Sequence, residues 1–107
     1  MNFNDYQRLA ARTSGQTNPQ ARILMAALGL CGESGEFADQ IKKIIYHAHP
    51  RSRAKLIEEL GDVLWYIAEA CSACQIELED IAIENINKLE KRYPDGFSTE
   101  RSINRTE

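Results

Sequence analysis

The sequence predicts an all-α fold, an antiparallel bundle of four main helices, on three observations. Among its 107 residues, proline stands only at positions 19, 50 and 94, so long segments lack the residue that most disrupts a helix. Within those segments apolar residues recur at three- and four-residue spacing, and no stretch reads as a strand. The prolines fall at Asn18-Pro19, His49-Pro50 and Pro94-Asp95-Gly96, the first and last beside other turn formers, which divides the chain into helical lengths.

In order, Asn4 reads as the N-cap of a short first helix over about 5–11, with Tyr6, Leu9 and Ala10 as its apolar stripe. Thr13 to Asn18 has loop composition, and Asn18-Pro19 is the N-cap and first position of a second helix reaching Tyr46. Its core-facing residues are Ile23, Ala27, Leu30, Phe37, Ile41, Ile44 and Ile45. A third helix over about 52–74 carries an apolar stripe of Leu56, Leu60, Val63, Leu64, Ile67 and Cys71. Beside it runs a mostly acidic stripe, Glu59, Asp62, Tyr66 and Glu69. A fourth helix over about 78–93 points Leu78, Ala82, Ile86 and Leu89 inward, and Asn85, Lys88 and Arg92 share another face. Residues 98–107 read as a polar tail with one apolar side chain, Ile103, that packs on a partner.

A chain of this length makes one domain, 1–107, tail included. Charged residues make up 27% and hydrophobic ones 43%, a balance that excludes intrinsic disorder. The net charge of -3 and the scattered basic residues argue against nucleic acid as a partner. No apolar run reaches the roughly 18 residues of a membrane span, and the start, Met1-Asn2-Phe3-Asn4-Asp5, is unlike a signal peptide. The expected location is cytoplasmic. Three cysteines, Cys31, Cys71 and Cys74, do not make a disulfide framework. Cys71-Ser72-Ala73-Cys74 has redox-motif spacing but lies in a helix without the preceding strand, so the cysteines read as small packing residues. His47 and His49 lack acid or thiol partners nearby and read as surface histidines.

Chemistry concentrates in two acidic pairs. Glu33 and Glu36 are three residues apart, as are Glu59 and Asp62, which sets each pair on one helical face. Acids on a helix are most often a solvated surface. Here the spacing repeats on consecutive helices, and the first pair lies among Gly29, Gly32 and Gly35. Each glycine costs a helix about 1 kcal/mol relative to alanine, so either a second helix or a ligand must come close. Facing helices about 8–10 Å apart can bring the pairs together, where mutual repulsion calls for a cation. All-oxygen ligands suit Mg²⁺ or Mn²⁺ rather than zinc, and Mg²⁺ keeps positions open for phosphate oxygens. Asn85, Lys88 and Arg92 would neutralise the phosphate charge left uncovered.

Gly32-Glu33-Ser34-Gly35-Glu36, then Glu59-Leu60-Gly61-Asp62-Val63-Leu64-Trp65-Tyr66, then Asn85 to Pro94 together resemble the MazG-like all-α nucleoside triphosphate pyrophosphohydrolases. The resemblance runs from about Leu28 to Phe97. It implies Mg²⁺-dependent cleavage of a (deoxy)nucleoside triphosphate to the monophosphate and pyrophosphate, in nucleotide-pool control. It makes Glu33, Glu36, Glu59 and Asp62 the metal ligands and catalytic acids; of the four, Glu36 is our candidate for the residue nearest the attacking water. Asn85 and Lys88 match the family's phosphate-contacting positions, and Arg92 joins them. Trp65, which helical spacing alone would place in a core, becomes a candidate to stack on the base. The family assembles as homodimers or homotetramers. Two departures stand out: Gly32 occupies the position before Glu33 where the family often has another acid, and Glu58 precedes Glu59. A non-catalytic helical dimer that binds nucleotide or protein is the alternative.

Overall fold

The computed structural model describes residues 1–106; Glu107, the last residue of the expected tail, lies outside them. The fold is all α, in five helices: α1 (Phe3–Ala11), α2 (Pro19–Tyr46), α3 (Arg53–Ala73), α4 (Leu78–Arg92) and α5 (Thr99–Ile103). No strand forms among the described residues. The expected tail therefore contains a short helix, which Ser98 caps by accepting a hydrogen bond from the Arg101 N–H at 3.2 Å.

Caps explain the remaining boundaries. Asn18 Oδ1 accepts from Ala21 N and Pro19 occupies the first turn of α2, as anticipated, and Ser52 caps α3. The first helix differs. Asn2 caps it, accepting from Asp5 N at 2.7 Å, whereas Asn4 is inside α1. The Asn4 amide instead reaches Glu79, donating to Oε2 at 3.3 Å and accepting from its backbone N–H at 3.4 Å. The turn out of α3 is a Schellman arrangement: Ile76 N–H donates to Cys71 O at 2.8 Å and Gln75 N–H to Ser72 O at 3.2 Å. Gln75 takes the left-handed conformation this requires, at φ 58°.

α2 and α3 form the main packed pair. Their contacts descend in number on one helix as they rise on the other, Glu33 with Glu59 and Asp62, Gly29 with Tyr66, Arg22 with Glu69, so the two run antiparallel. α1 lies across α3 and meets the start of α4. There Ala68, Cys71 and Leu78 are buried with Tyr6, Ala10 and Ile67 around them.

The core is small. Ala26, Ala68, Cys71 and Leu78 are the buried apolar residues among those described. Of the expected core stripes, Leu30, Phe37, Ile41 and Ile44 are half-buried, but Ile23 and Ala27 are exposed and Ile45 is 64% exposed. Leu60 on α3 and Ile86 and Leu89 on α4 are exposed as well. The physical reason on α4 is that α1 meets only its first turn, so among the described residues little of the same chain covers its apolar stripe. Cys31 and Cys74, expected as packing residues, are exposed, and only Cys71 is buried.

Two global measures agree. The radius of gyration is 16.9 Å, against about 13 Å for a compact chain of this length. The accessible surface is 8075 Å², roughly 2,000 Å² more than a compact monomer of this mass exposes. No described helix is long and apolar enough to cross a membrane.

Candidate active site

The antiparallel α2–α3 pair lines up two stripes. On α2, Arg22, Ala26, Gly29, Glu33 and Glu36 follow one another at three- and four-residue steps, as do Glu59, Asp62, Tyr66 and Glu69 on α3. Facing one another, they make a groove with acids at one end and an ion pair at the other.

At the acidic end, Glu33, Glu59 and Asp62 each offer a carboxylate oxygen, and these oxygens lie within 4.8 Å of one another. Glu59 is buried, Glu33 half-buried and Asp62 exposed. No ion pair or hydrogen bond to a basic side chain neutralises any of the three among the described residues. The consequence is electrostatic. Removal from water, then the charges of Asp62, Glu59 and Glu36, hold the Glu33 carboxyl above the usual glutamate range. The Tyr6 phenol is likewise raised, by burial and by Asp62, so α1 reaches the edge of the site. Three converging oxygens with unrelieved repulsion, and no nitrogen or sulfur donor in the cluster among the described residues, are a donor set that fits a hard divalent cation.

Glu36 stands one turn beyond Glu33, exposed and outside the trio, and adds to its repulsion. Its charge also raises the Lys43 ammonium, which is held mainly by Asp39 at 2.8 Å. Asn85 and Lys88 are exposed on α4, and no hydrogen bond or ion pair links them to the acids among the described residues. Arg92, half-buried, accepts a hydrogen bond at its carbonyl from Arg101 Nε at 2.7 Å. It lines a surface cavity of about 380 Å³ with Lys91, Arg101 and Arg105. The single chain thus converges three of the four expected acids.

Gly29 explains one of the three glycines. A Cβ there would collide with the Tyr66 ring, so the helices close onto each other at that position. Gly32 and Gly35 have open space beside them. Trp65 is half-buried, its indole N–H donating to Thr13 Oγ1 at 2.8 Å and its ring edge-on to Tyr66. Arg22 carried no chemical signal by itself. Its place four and seven residues before Ala26 and Gly29, on the stripe of Glu33, was the available clue.

The family model of the MazG nucleotide pyrophosphohydrolase domain matches residues 22–97. The chain belongs to that family. Membership makes it a nucleoside triphosphate pyrophosphohydrolase, a hydrolase acting on phosphoric anhydrides. Among curated relatives, the Gene 37 protein of Mycobacterium phage L5 is 31% identical over 90% of this chain and 92% of its own length. Human dCTP pyrophosphatase 1 is 30% identical over 98% of this chain and 66% of its own length. The rat dCTP pyrophosphatase 1 is 33% identical over 86% of this chain, which spans 59% of that protein. No solved structure gives a significant match.

Proposed function

We propose that this MazG-family chain is a single domain, 98–107 included, that hydrolyses a (d)NTP to the (d)NMP and pyrophosphate in a Mg²⁺-dependent reaction, as part of cytoplasmic nucleotide-pool control. The observation that carries the reading is the convergence of Glu33, Glu59 and Asp62 within 4.8 Å, with no basic side chain among the described residues paired to them.

Glu33, Glu59 and Asp62 would hold the ion, with Glu36 completing the set from one turn away; Mn²⁺ is a substitute of similar donor preference. When bound, Mg²⁺ supplies positive charge that offsets the acids and draws the triphosphate oxygens. Glu36, which is exposed, takes the proton from a water attacking the α–β linkage. Asn85, Lys88 and Arg92 donate to phosphate oxygens and stabilise the charge that builds on them during cleavage. Trp65 offers a flat apolar face to the base.

The same reading requires a homo-oligomer, a dimer or a dimer of dimers. The surplus of roughly 2,000 Å² per chain over a compact monomer is the area of an obligate interface rather than of a transient one. Its apolar residues, Leu28 at 64% exposure and Ile86 at 53% among them, lie on the long helices. Assembly is also what would bring an α4 face with its Asn85 and Lys88 to a phosphate.

A pyrophosphate-release screen over natural and modified triphosphates, dCTP among the first, tests the reading with Mg²⁺ and with chelator. Release of pyrophosphate and monophosphate that the chelator abolishes is the expected result. Binding of triphosphate without release from any of them would replace the enzyme by a nucleotide-binding module.

A further inference from the structure

We infer that the cavity between the last turn of α4 and α5 is a binding site for a diphosphate anion, held by Lys91, Arg101 and Arg105. The site is independent of hydrolysis and of the acid trio.

The turn that follows α4 builds it. Tyr93 N–H donates to Leu89 O at 2.8 Å and closes the helix, and Gly96 N–H donates to Tyr93 O at 3.1 Å. Gly96 stands at φ 91°, where a residue without Cβ is at ease and others are strained. The Tyr93 and Phe97 rings meet with centroids 5.3 Å apart. The chain thereby reverses and brings α5 back to the end of α4, where Arg101 Nε donates to the Arg92 carbonyl at 2.7 Å. That carbonyl belongs to the last turn of α4, whose acceptors have no partner within the helix, so a side chain of α5 caps α4.

Capping accounts for one N–H of Arg101 and leaves the other cations unexplained. Lys91 and Arg92 of α4 line the cavity together with Glu100, Arg101, Asn104 and Arg105. Lys91 and Arg105 make no hydrogen bond or ion pair among the described residues, and the guanidinium of Arg101 keeps its remaining donors. Even with Arg92 set aside, three cations share the cavity with a single carboxylate, Glu100. Elsewhere on the surface bases stand beside acids, Arg8 with Asp5 and both Lys42 and Lys43 with Asp39. Like charges gathered without such partners repel, and a bound anion removes that repulsion.

Size and charge select the ligand. The cavity's volume of about 380 Å³ falls at the small end of ligand pockets, which suits one compact anion rather than a polymer laid along a surface. Guanidinium forks take phosphate oxygens two at a time, and a lysine adds a point charge. Cations supplied from two sides of a cavity suit an anion with a phosphate at each end. Free pyrophosphate and the diphosphate of a nucleotide share that chemistry. The family match ends at residue 97, so Arg101 and Arg105 lie beyond the family's domain, in a segment this chain adds to it.

The test is calorimetric titration of the full chain at low ionic strength in chelator, where no metal ties phosphate to the acids. Sodium pyrophosphate is expected to bind about tenfold more tightly than inorganic phosphate, with an affinity that falls as salt is added. Lys91→Gln and Arg105→Gln both leave the Arg101–Arg92 bond in place. Each should weaken pyrophosphate binding by about tenfold, with the helical circular dichroism retained. Lys88→Gln, outside the cavity lining, should bind as the wild type does. Adenosine and cytidine diphosphates in the same titration separate the two sources. Affinity no greater than that of pyrophosphate means that the phosphates alone are held; tighter binding that Arg105→Gln removes means a nucleotide's diphosphate, and either sustains the site. No binding of pyrophosphate, or binding that neither cavity variant weakens, would overturn it. A loss in Lys88→Gln as large as that in Arg105→Gln would overturn it as well, by placing the anion on the substrate face of α4. None of these outcomes depends on pyrophosphate release from a triphosphate, so the hydrolase stands or falls separately.

Discussion

The ring of Tyr66 occupies the space that a side chain at Gly29 would need. One missing methyl group thus sets how closely α2 and α3 approach, midway between the acids and the Arg22–Glu69 pair. Gly29→Ala should destabilise the protein by about 1–3 kcal/mol through overpacking, even though alanine is the better helix former. Chemical denaturation measures this, with a lower midpoint at unchanged slope. In a cycle with Tyr66→Ala the double variant should lose less than the sum of the single ones, because the second change empties the space the first overfills. Strict additivity would mean that the ring and the glycine are not in contact.

Gln7 plays a comparable part at the other end of α3. Its Nε2 donates to Ile76 O at 2.8 Å and to Ser72 Oγ at 3.2 Å, and its Oε1 accepts from Leu78 N at 2.8 Å. α4 has no side-chain cap of its own at Glu77, so a residue of α1 serves its first turn. Gln7→Ala should cost about 1–3 kcal/mol by leaving partly buried backbone groups unpaired. Hydrogen exchange should show Leu78 losing protection before the middle of α3 does.

These two contacts show which parts of the molecule were legible in the sequence. Periodicity was sufficient for the long helices and for the α3 stripe Glu59, Asp62, Tyr66 and Glu69, because 3.6-residue geometry acts within one segment. Beyond the two acidic pairs, pairing across segments was not legible. Arg22 meets Glu69 only in one register of α2 against α3, and nothing local specifies that register. Asn2 and Asn4 both have capping chemistry two residues apart; Asn2 caps α1 and Asn4 bonds Glu79 of α4, a division that local sequence does not specify. Ile86 and Leu89 were expected to point inward and are exposed, because periodicity marks an apolar face and is silent on whether the same chain covers it.

Like charge at the acid trio leads to a prediction with two opposite effects. Burial and the neighbouring Asp62, Glu59 and Glu36 raise the Glu33 carboxyl, so the folded state binds its proton more tightly than the unfolded chain does. Metal-free stability from this group is therefore greatest below the ordinary glutamate range and falls as pH rises from there through the raised value. Glu33→Gln should flatten that decline and raise the melting temperature in chelator at neutral pH. The same variant should lose most of the melting-temperature rise on adding Mg²⁺ and at least about 100-fold in kcat. Scanning calorimetry across pH, with and without Mg²⁺, separates the two effects. A wild-type melting temperature indifferent to Mg²⁺ would remove the metal assignment.

The exposed sulfurs make a simpler check. Burial first, and then the nearby Cys74, raise the Cys71 thiol above its usual range, while Cys31 and Cys74 are exposed. Under native conditions a thiol reagent should modify Cys31 and Cys74 quickly and Cys71 only at the rate of unfolding. Peptide mapping identifies the sites. Rapid labelling of Cys71 would contradict the packing of α1 and α4 over it.

The apolar stripe of α4 bears on how the site is completed. Ile86 is 53% exposed on the helix that carries Asn85 and Lys88, and α1 covers only the beginning of that helix. If a second copy covers it, Ile86→Asp places a charge in an apolar interface and should weaken association at least about tenfold. Sedimentation velocity should then show a smaller species at micromolar concentration, with the helical circular dichroism of the chain retained. Pyrophosphate release should fall with the fraction dissociated and recover as protein concentration is raised. Exposed α2 residues such as Leu28 allow a comparison, since Leu28→Asp should act in the same direction only if the interface includes α2. A wild type that sediments as a monomer at full activity would show that Asn85 and Lys88 reach phosphate without a partner, and α4 would then have to swing onto the groove of its own chain.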